Sequence, residues 1–386
     1  MDILIIIALI LIINTFIVSA LNNKYVIKVK SYFWILFAVH FLLTALYIIL
    51  TLSSRSDSIG YYERSSKETD WFSLLAYGTT FIEFISWPLI KLFSLSYISM
   101  MILFSYLGYL SIVFFYLSLN ENVDLKSIRN NFTLKELIFL LPNLHFWTSS
   151  LGKGAIISLG LSFFAFGLSR FNRMGRAILI ILGSLLTLMV RPHIFLTLIV
   201  AILIVLLITR SEIKPYIKWL IISITLILFF YMSKQVVEFS NTESLDILSS
   251  NSLNHRAQEL SKSNSGIDIS EYNLVMKIFT FWFRPLFFDA KGVADLIISF
   301  ENLLYIFFFI TVIKSVIKNW FDWNGWFRIL IFIFLLGSFI LSQVTGNLGI
   351  AMRQKSQLMP FFFIVYCKAL YYKQFQFRKK QKISAA

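Results

Sequence analysis

The sequence predicts an all-α, polytopic integral membrane protein of about eleven transmembrane helices plus interfacial helices, a single transmembrane domain over residues 1–386. Three observations carry this reading. The chain is 58% hydrophobic and only 14% charged, with 41 phenylalanines, a composition suited to lipid rather than water. Apolar runs approaching the roughly 20 residues that a bilayer crossing needs recur from end to end. The net charge of +15 gathers in alternate connections between those runs instead of spreading along the chain.

Taken in order, the segments lie near 3–21, 33–53, 97–119, 134–149, 153–169, 177–191, 194–209, 216–233, 295–316, 326–344 and 356–372. The first has no basic stretch before it and no small-residue cleavage pattern after it, so it reads as a retained helix and not a signal peptide. Alternate connections carry 21 of the 35 basic residues, among them Lys24, Lys135, Arg170, Arg173, Arg176, Lys314 and Lys318. The same connections hold only Glu121, Asp124, Glu136, Glu212 and Asp322 as acids. The positive-inside rule puts that side in the cytoplasm, with the N-terminus outside, the C-terminus inside and 373–386 a basic cytoplasmic tail. Charge in this arrangement serves topology, so nucleic acid is excluded as a partner.

The first outside connection, within 53–96, opens on a stretch rich in acid and tyrosine: Asp57, Tyr61, Tyr62 and Glu63 fall within seven residues. A turn there brings a carboxylate, a candidate general base, beside an aromatic platform for a sugar ring at the bilayer surface. A solvated loop without chemistry is the plainer alternative. The following apolar stretch is broken by Glu83, Pro88 and Lys91 and reads as an interfacial helix; counting it as a span would invert every later loop.

The run LPNLHFWTSSLGKG, 141–154, sets a proline, His145, three hydroxyls and Lys153 between two apolar runs, so a polar turn is expected to dip into the membrane face. The hydroxyls can be explained as caps and backbone partners around Pro142. Lys153 is costly so close to the apolar layer unless it meets an anion. Further on, Arg191 and His193 flank Pro192 in a membrane-close break. The longest outside loop, 234–275, has the length of a lid or acceptor-binding loop and carries His255 and Arg256. Arg284 precedes Pro285 in an aromatic belt, and Arg353 and Lys355 follow the Gly346–Gly349 turn. Guanidinium forks suit diphosphate oxygens, which makes Arg191, Arg284 and Arg353 candidate anion contacts; snorkelling to the interface is the alternative for each.

Four histidines without metal-binding spacing and one cysteine, Cys367, predict no metal site, no intramolecular disulfide and no cofactor. No glycine-rich phosphate loop is present, which argues against an ATP-driven machine.

Together, DSIGYYE, the LPxxxFWTSSLGK turn, the membrane-edge RPH, the long outside loop, FRP and the late NLGxxxRQK turn resemble bacterial polysaccharide repeat-unit polymerases of the O-antigen, capsule and exopolysaccharide type. More loosely the chain is similar to the wider GT-C group of multipass glycosyltransferases. The resemblance implies a metal-independent enzyme of the inner membrane that joins undecaprenyl-diphosphate-linked glycans on the outer face. It also implies partners in the lipid-linked glycan, the bilayer and other polysaccharide assembly proteins. By position it makes Arg191, Arg284, Arg353 and Lys153 diphosphate ligands and Asp57 or Glu63 the catalytic carboxylate. Tyr61, Tyr62, His145, His193 and Arg256 would bind substrate. The additional segment ahead of the first loop departs from the pattern. Transfer of a single sugar, lipid-glycan flipping and a scaffold role are the competing readings.

Overall fold

The computed structural model describes residues 2–25, 27, 29–53, 56–128, 132–208, 214–224, 226–227, 266–269, 271–290 and 292–384. These residues are mostly helical, with an isolated antiparallel bridge between Gly266 and Asn347 and no strand among them. They form two compact units, Met1–Pro192 and His193–Ala386.

In the first unit, α1 (Asp2–Lys24), α2 (Tyr32–Ser53) and α5 (Tyr97–Asn120) are long and apolar enough to cross a membrane. Between α2 and α5 lie α3 (Asp57–Lys67) and α4 (Thr79–Lys91), both too short to cross. The expected loop at 53–71 is therefore largely a helix. Ser56 caps α3 by accepting from the Ser58 N–H, Asp57 sits in its first turn and Arg64 and Lys67 in its last, a charge order that suits the helix dipole.

The chain continues through α6 (Leu134–Ile138), α7 (Pro142–Phe146), α8 (Lys153–Ser169) and α9 (Arg176–Val190). Helix α5 is the hub, buried along most of its length, and glycines let its neighbours approach closely. A Cβ on Gly108 would lie 1.9 Å from the Thr148 carbonyl oxygen, and one on Gly183 would lie 2.4 Å from that of Gly160.

Polar contacts fix the helices of this unit at both ends. At one end the Asp2 carboxylate accepts from the Ser96 N–H and the Ser99 hydroxyl, fixing the start of α1 to the start of α5. There too the Gly78 N–H donates to the Met189 carbonyl near the end of α9. At the other end Glu121 pairs with Arg176 at 2.6 Å, its carbonyl accepts from Arg170, and Lys135 donates to Asn120.

The segment 134–151 runs between these ends. Lys135 stands at the Asn120 level of α5, while the Leu151 N–H reaches the Met101 sulfur. Those α5 positions are separated by about 28 Å at ~1.5 Å per residue, close to the hydrocarbon thickness of a bilayer. Instead of one helix the segment forms two five-residue helices broken at Pro142. Such a break at membrane depth requires internal partners for its polar groups, and Asn143, His145, Thr148 and Ser149 are all buried.

The second unit contains α10 (Pro192–Ile208), α11 (Pro215–Ile224), α12 (Leu274–Phe283), α13 (Val293–Asn319), α14 (Gly325–Val344) and α15 (Leu348–Ser384). Helices α13 and α14 have the length and apolarity of spans, which makes five such helices among the described residues. The expected count of about eleven is not confirmed among the described residues. The segment at 134–149 is broken, those at 153–169, 177–191 and 194–209 yield helices of 15 to 17 residues, and 216–233 lies partly outside the described residues.

Candidate functional site

The acidic-aromatic helix packs onto the polar turn. Along α3, Ser58, Tyr61 and Ser65 form the buried stripe, spaced as one helical face. The Ser58 hydroxyl bonds the Tyr97 hydroxyl at 2.7 Å, and Ser65 donates to the Tyr61 carbonyl. Tyr61 lies against Gly152, where a Cβ would come within 3.1 Å of the ring. Lys153, half-buried, follows immediately and opens the 17-residue helix α8. Two features distant in sequence, GYYE and LGK, thus meet at the end of the unit that carries Asp2 and Ser96.

Tyr62 donates to the Leu95 carbonyl and crosses the Tyr97 ring edge-on. Asp57 and Glu63 are both exposed. They do not share a face: at about 100° per residue Asp57 stands ~40° from Tyr61 around the helix, while Glu63 stands ~160° away. Arg64, on the Tyr61 side, pairs with the buried Glu83 at 2.6 Å.

His145 is fully buried. Its Nε2 lies 2.8 Å from the Phe139 carbonyl and its Nδ1 3.1 Å from Nδ1 of His40. A carbonyl only accepts, so Nε2 of His145 carries a hydrogen; with both rings neutral, His40 then donates through Nδ1. The pair joins α7 to α2 inside the unit, so the histidine expected to bind substrate faces the protein interior. Arg191 caps the end of α9, its N–H on the Thr187 carbonyl, and is buried; His193 is half-buried in the first turn of α10. His255 and Arg256 lie outside the described residues.

The second unit gathers the remaining basic candidates. Asn347 caps α15 by accepting from the Ile350 N–H, and two turns on Lys355 is fully buried. Its ammonium donates to the Asn302 amide oxygen at 2.6 Å and to the Trp282 carbonyl at 3.1 Å. Asn302 in turn donates to the Pro285 carbonyl, and Trp282 donates to Ser338. Beside them the Tyr305 hydroxyl bonds Glu301, and the Lys355 ammonium stands 5.8 Å from the Tyr305 ring. The FRP break and the late RQK turn are therefore drawn together: Arg284 lies two residues beyond Trp282, and half-buried Arg353 two residues before Lys355.

Arg284 grips Asp289 with Nε and Nη2 at 3.0 and 2.5 Å, and the Leu286 N–H adds a third bond to the same carboxylate. Burial alone would push the Asp289 carboxyl up, but the bonds from Arg284 and Leu286 and the guanidinium charge hold it below its ordinary value. The bond to Asp289 likewise pushes Arg284 up. A carboxyl depressed in the folded state contributes stability above its unfolded pKa, about 3.9, and that contribution is lost as pH falls through the lower folded value. The unfolding midpoint of the unmodified protein should therefore fall more steeply below pH ~4 than that of Asp289→Asn, as read by thermal scans in detergent.

Asn302, Tyr305, His40 and Glu83 were not legible as site residues, because a single polar residue in an apolar helix gives no spacing pattern. The i, i+4 separation of Glu301 and Tyr305 was the one available signal. Among the described residues no group of three or more metal-ligating side chains occurs. No protein-family model matches the chain, and no curated protein or solved structure is detectably similar to it.

Proposed function

We propose that the protein is a membrane-embedded glycosyl transfer enzyme that polymerises polyprenyl-diphosphate-linked glycan repeat units on the outer face of a bacterial inner membrane. The observation that carries the proposal is the packing of Tyr61 against Gly152, which sets the acidic-aromatic helix beside Lys153. In this reading the acceptor hydroxyl oxygen attacks the sugar C1 and passes its proton to Asp57. The bond from C1 to the diphosphate breaks, and the lipid diphosphate leaves. Fixed cations stabilise the charge that grows on the leaving group more in the transition state than in the ground state. Lys153 and Arg191, both in the first unit, are the cations assigned this task, and Arg353 is a separate candidate anion contact in the second unit. Arg284, committed to Asp289, shapes its segment and presents its remaining donors. The arginine-rich end of the first unit is then cytoplasmic, and the Asp2 and Ser96 end is outside.

Arginine-to-lysine exchange tests the assignment, since charge is kept and the planar fork is lost. Arg191→Lys and Arg353→Lys, each at normal protein level, should shift the polymer ladder made by membranes toward short products. Normal ladders from both variants would favour snorkelling.

Lipid-glycan transport is the second reading, and one observation favours it: Glu301, Asn302, Tyr305 and Lys355 form a buried polar cluster in the second unit, and intramembrane ionisable groups commonly line transport paths. Movement of the lipid-linked unit across vesicles without elongation is its signature.

A further inference from the structure

The end of α13 remote from Val293 forms with α15 an open cavity of about 230 Å³. One wall is a ridge of α13 with Ile310, Lys314 and Lys318 at successive turns, beside Thr311 and Ser315 on the next ridge. The other wall is Ala369 and Lys373, again one turn apart, on α15. Both walls change character in the same direction, from an apolar residue to lysine. At the apolar end Ile310 is exposed and Ala369 is buried, while Lys314, Lys318 and Lys373 are exposed at the polar end. None of the residues lining the cavity is acidic.

Position along α13 says what such a gradient meets. Lys314 stands 21 residues after Val293, about 31 Å at ~1.5 Å per residue, so a helix crossing the bilayer brings its lysines out at the headgroup level. On its outer side α13 exposes Ile313 at 52% and Ile317 at 78%, surface suited to acyl chains. From Ile310 to Lys318 the groove is about 12 Å long, room for the first part of an acyl chain, the glycerol and a phosphate. Basic pockets between membrane helices recognise anionic head groups in this way.

We propose that this cavity is a binding site for an anionic phospholipid, with the lipid phosphate between Lys314, Lys318 and Lys373 and one acyl chain along Ile310 and the exposed apolar face of α13. The shared chemistry is a phosphate group, and the apolar wall selects the lipid-borne form over the soluble one. The site is independent of the glycan chemistry proposed above.

The test uses the full chain in nanodiscs of phosphatidylglycerol and phosphatidylcholine, with bound lipid counted by native mass spectrometry after release. Phosphatidylglycerol should stay bound in preference to phosphatidylcholine. Its affinity should fall roughly fivefold for each lysine replaced by glutamine and about 100-fold in K314Q/K318Q/K373Q, at about 1 kcal/mol per cation. The matching triple arginine variant should retain it. Equal retention of phosphatidylcholine, or undiminished phosphatidylglycerol in the triple glutamine variant, would overturn the proposal. Complete displacement of the lipid by millimolar inorganic phosphate would also overturn it, by showing a site for a soluble anion. The lipid preference of the unmodified protein decides the matter even where the triple variant fails to fold.

Discussion

Asp57→Asn is expected to slow elongation of a lipid-linked repeat unit by roughly 10²- to 10⁴-fold, the usual contribution of a positioned general base, while Glu63→Gln leaves the rate near that of the unmodified protein. Both carboxylates are exposed on the same short helix, so sequence alone gives them equal standing. Helical register separates them. The stripe Ser58, Tyr61 and Ser65 turns toward the bundle, and Asp57 stands at its edge, ~40° from Tyr61 around the helix. Glu63 projects from the opposite side. An isosteric amide keeps the shape and removes the basicity, so the initial rate on membranes, at matched protein level, reads the proton acceptor directly. A slow Glu63→Gln beside a fast Asp57→Asn would reverse the assignment, and full rates in both would remove α3 from the chemistry.

Gly108→Ala should destabilise the protein by about 3 kcal/mol, at the upper end of what overpacking in a well-filled core costs. The new methyl would stand 1.9 Å from the Thr148 carbonyl oxygen, a backbone atom that cannot swing aside as a side-chain tip can. Alanine's better helix propensity returns about 1 kcal/mol, too little to offset the clash. Gly183→Ala meets the Gly160 carbonyl and should behave alike. At Gly292 a methyl meets open space, so Gly292→Ala should change stability by less than ~0.5 kcal/mol. Thermal unfolding in detergent orders the three variants. Equal midpoints would contradict the close approach of α5 to the broken segment.

Hydrophobic runs revealed the all-helical, membrane-type architecture because the bilayer imposes a length on apolar helices that composition alone can show. The sequence placed 134–149 among the membrane segments and expected a polar turn over 141–154; the segment is two short helices broken at Pro142, with buried partners such as His40. Those partners belong to other helices and leave no trace in local spacing. Lys153 stood out as a charge without an obvious anion, and the contact of Gly152 with Tyr61 supplies its neighbourhood. Lys355 was visible only as a charge before an apolar run. Its acceptors, the Asn302 side chain and the Trp282 carbonyl, come from segments 53 and 73 residues away. Arg284 was read as an anion contact because Asp289, five residues on, carries no sign in the sequence that it turns back.

The central claim, that this chain joins lipid-linked glycans, is tested most directly by the purified protein in vesicles given a polyprenyl-diphosphate-linked repeat unit, without nucleotide or added metal. The account predicts a ladder of elongated glycans and one free polyprenyl diphosphate for each new glycosidic bond. Translocation of the lipid-linked unit with no new bond and no released diphosphate would contradict it.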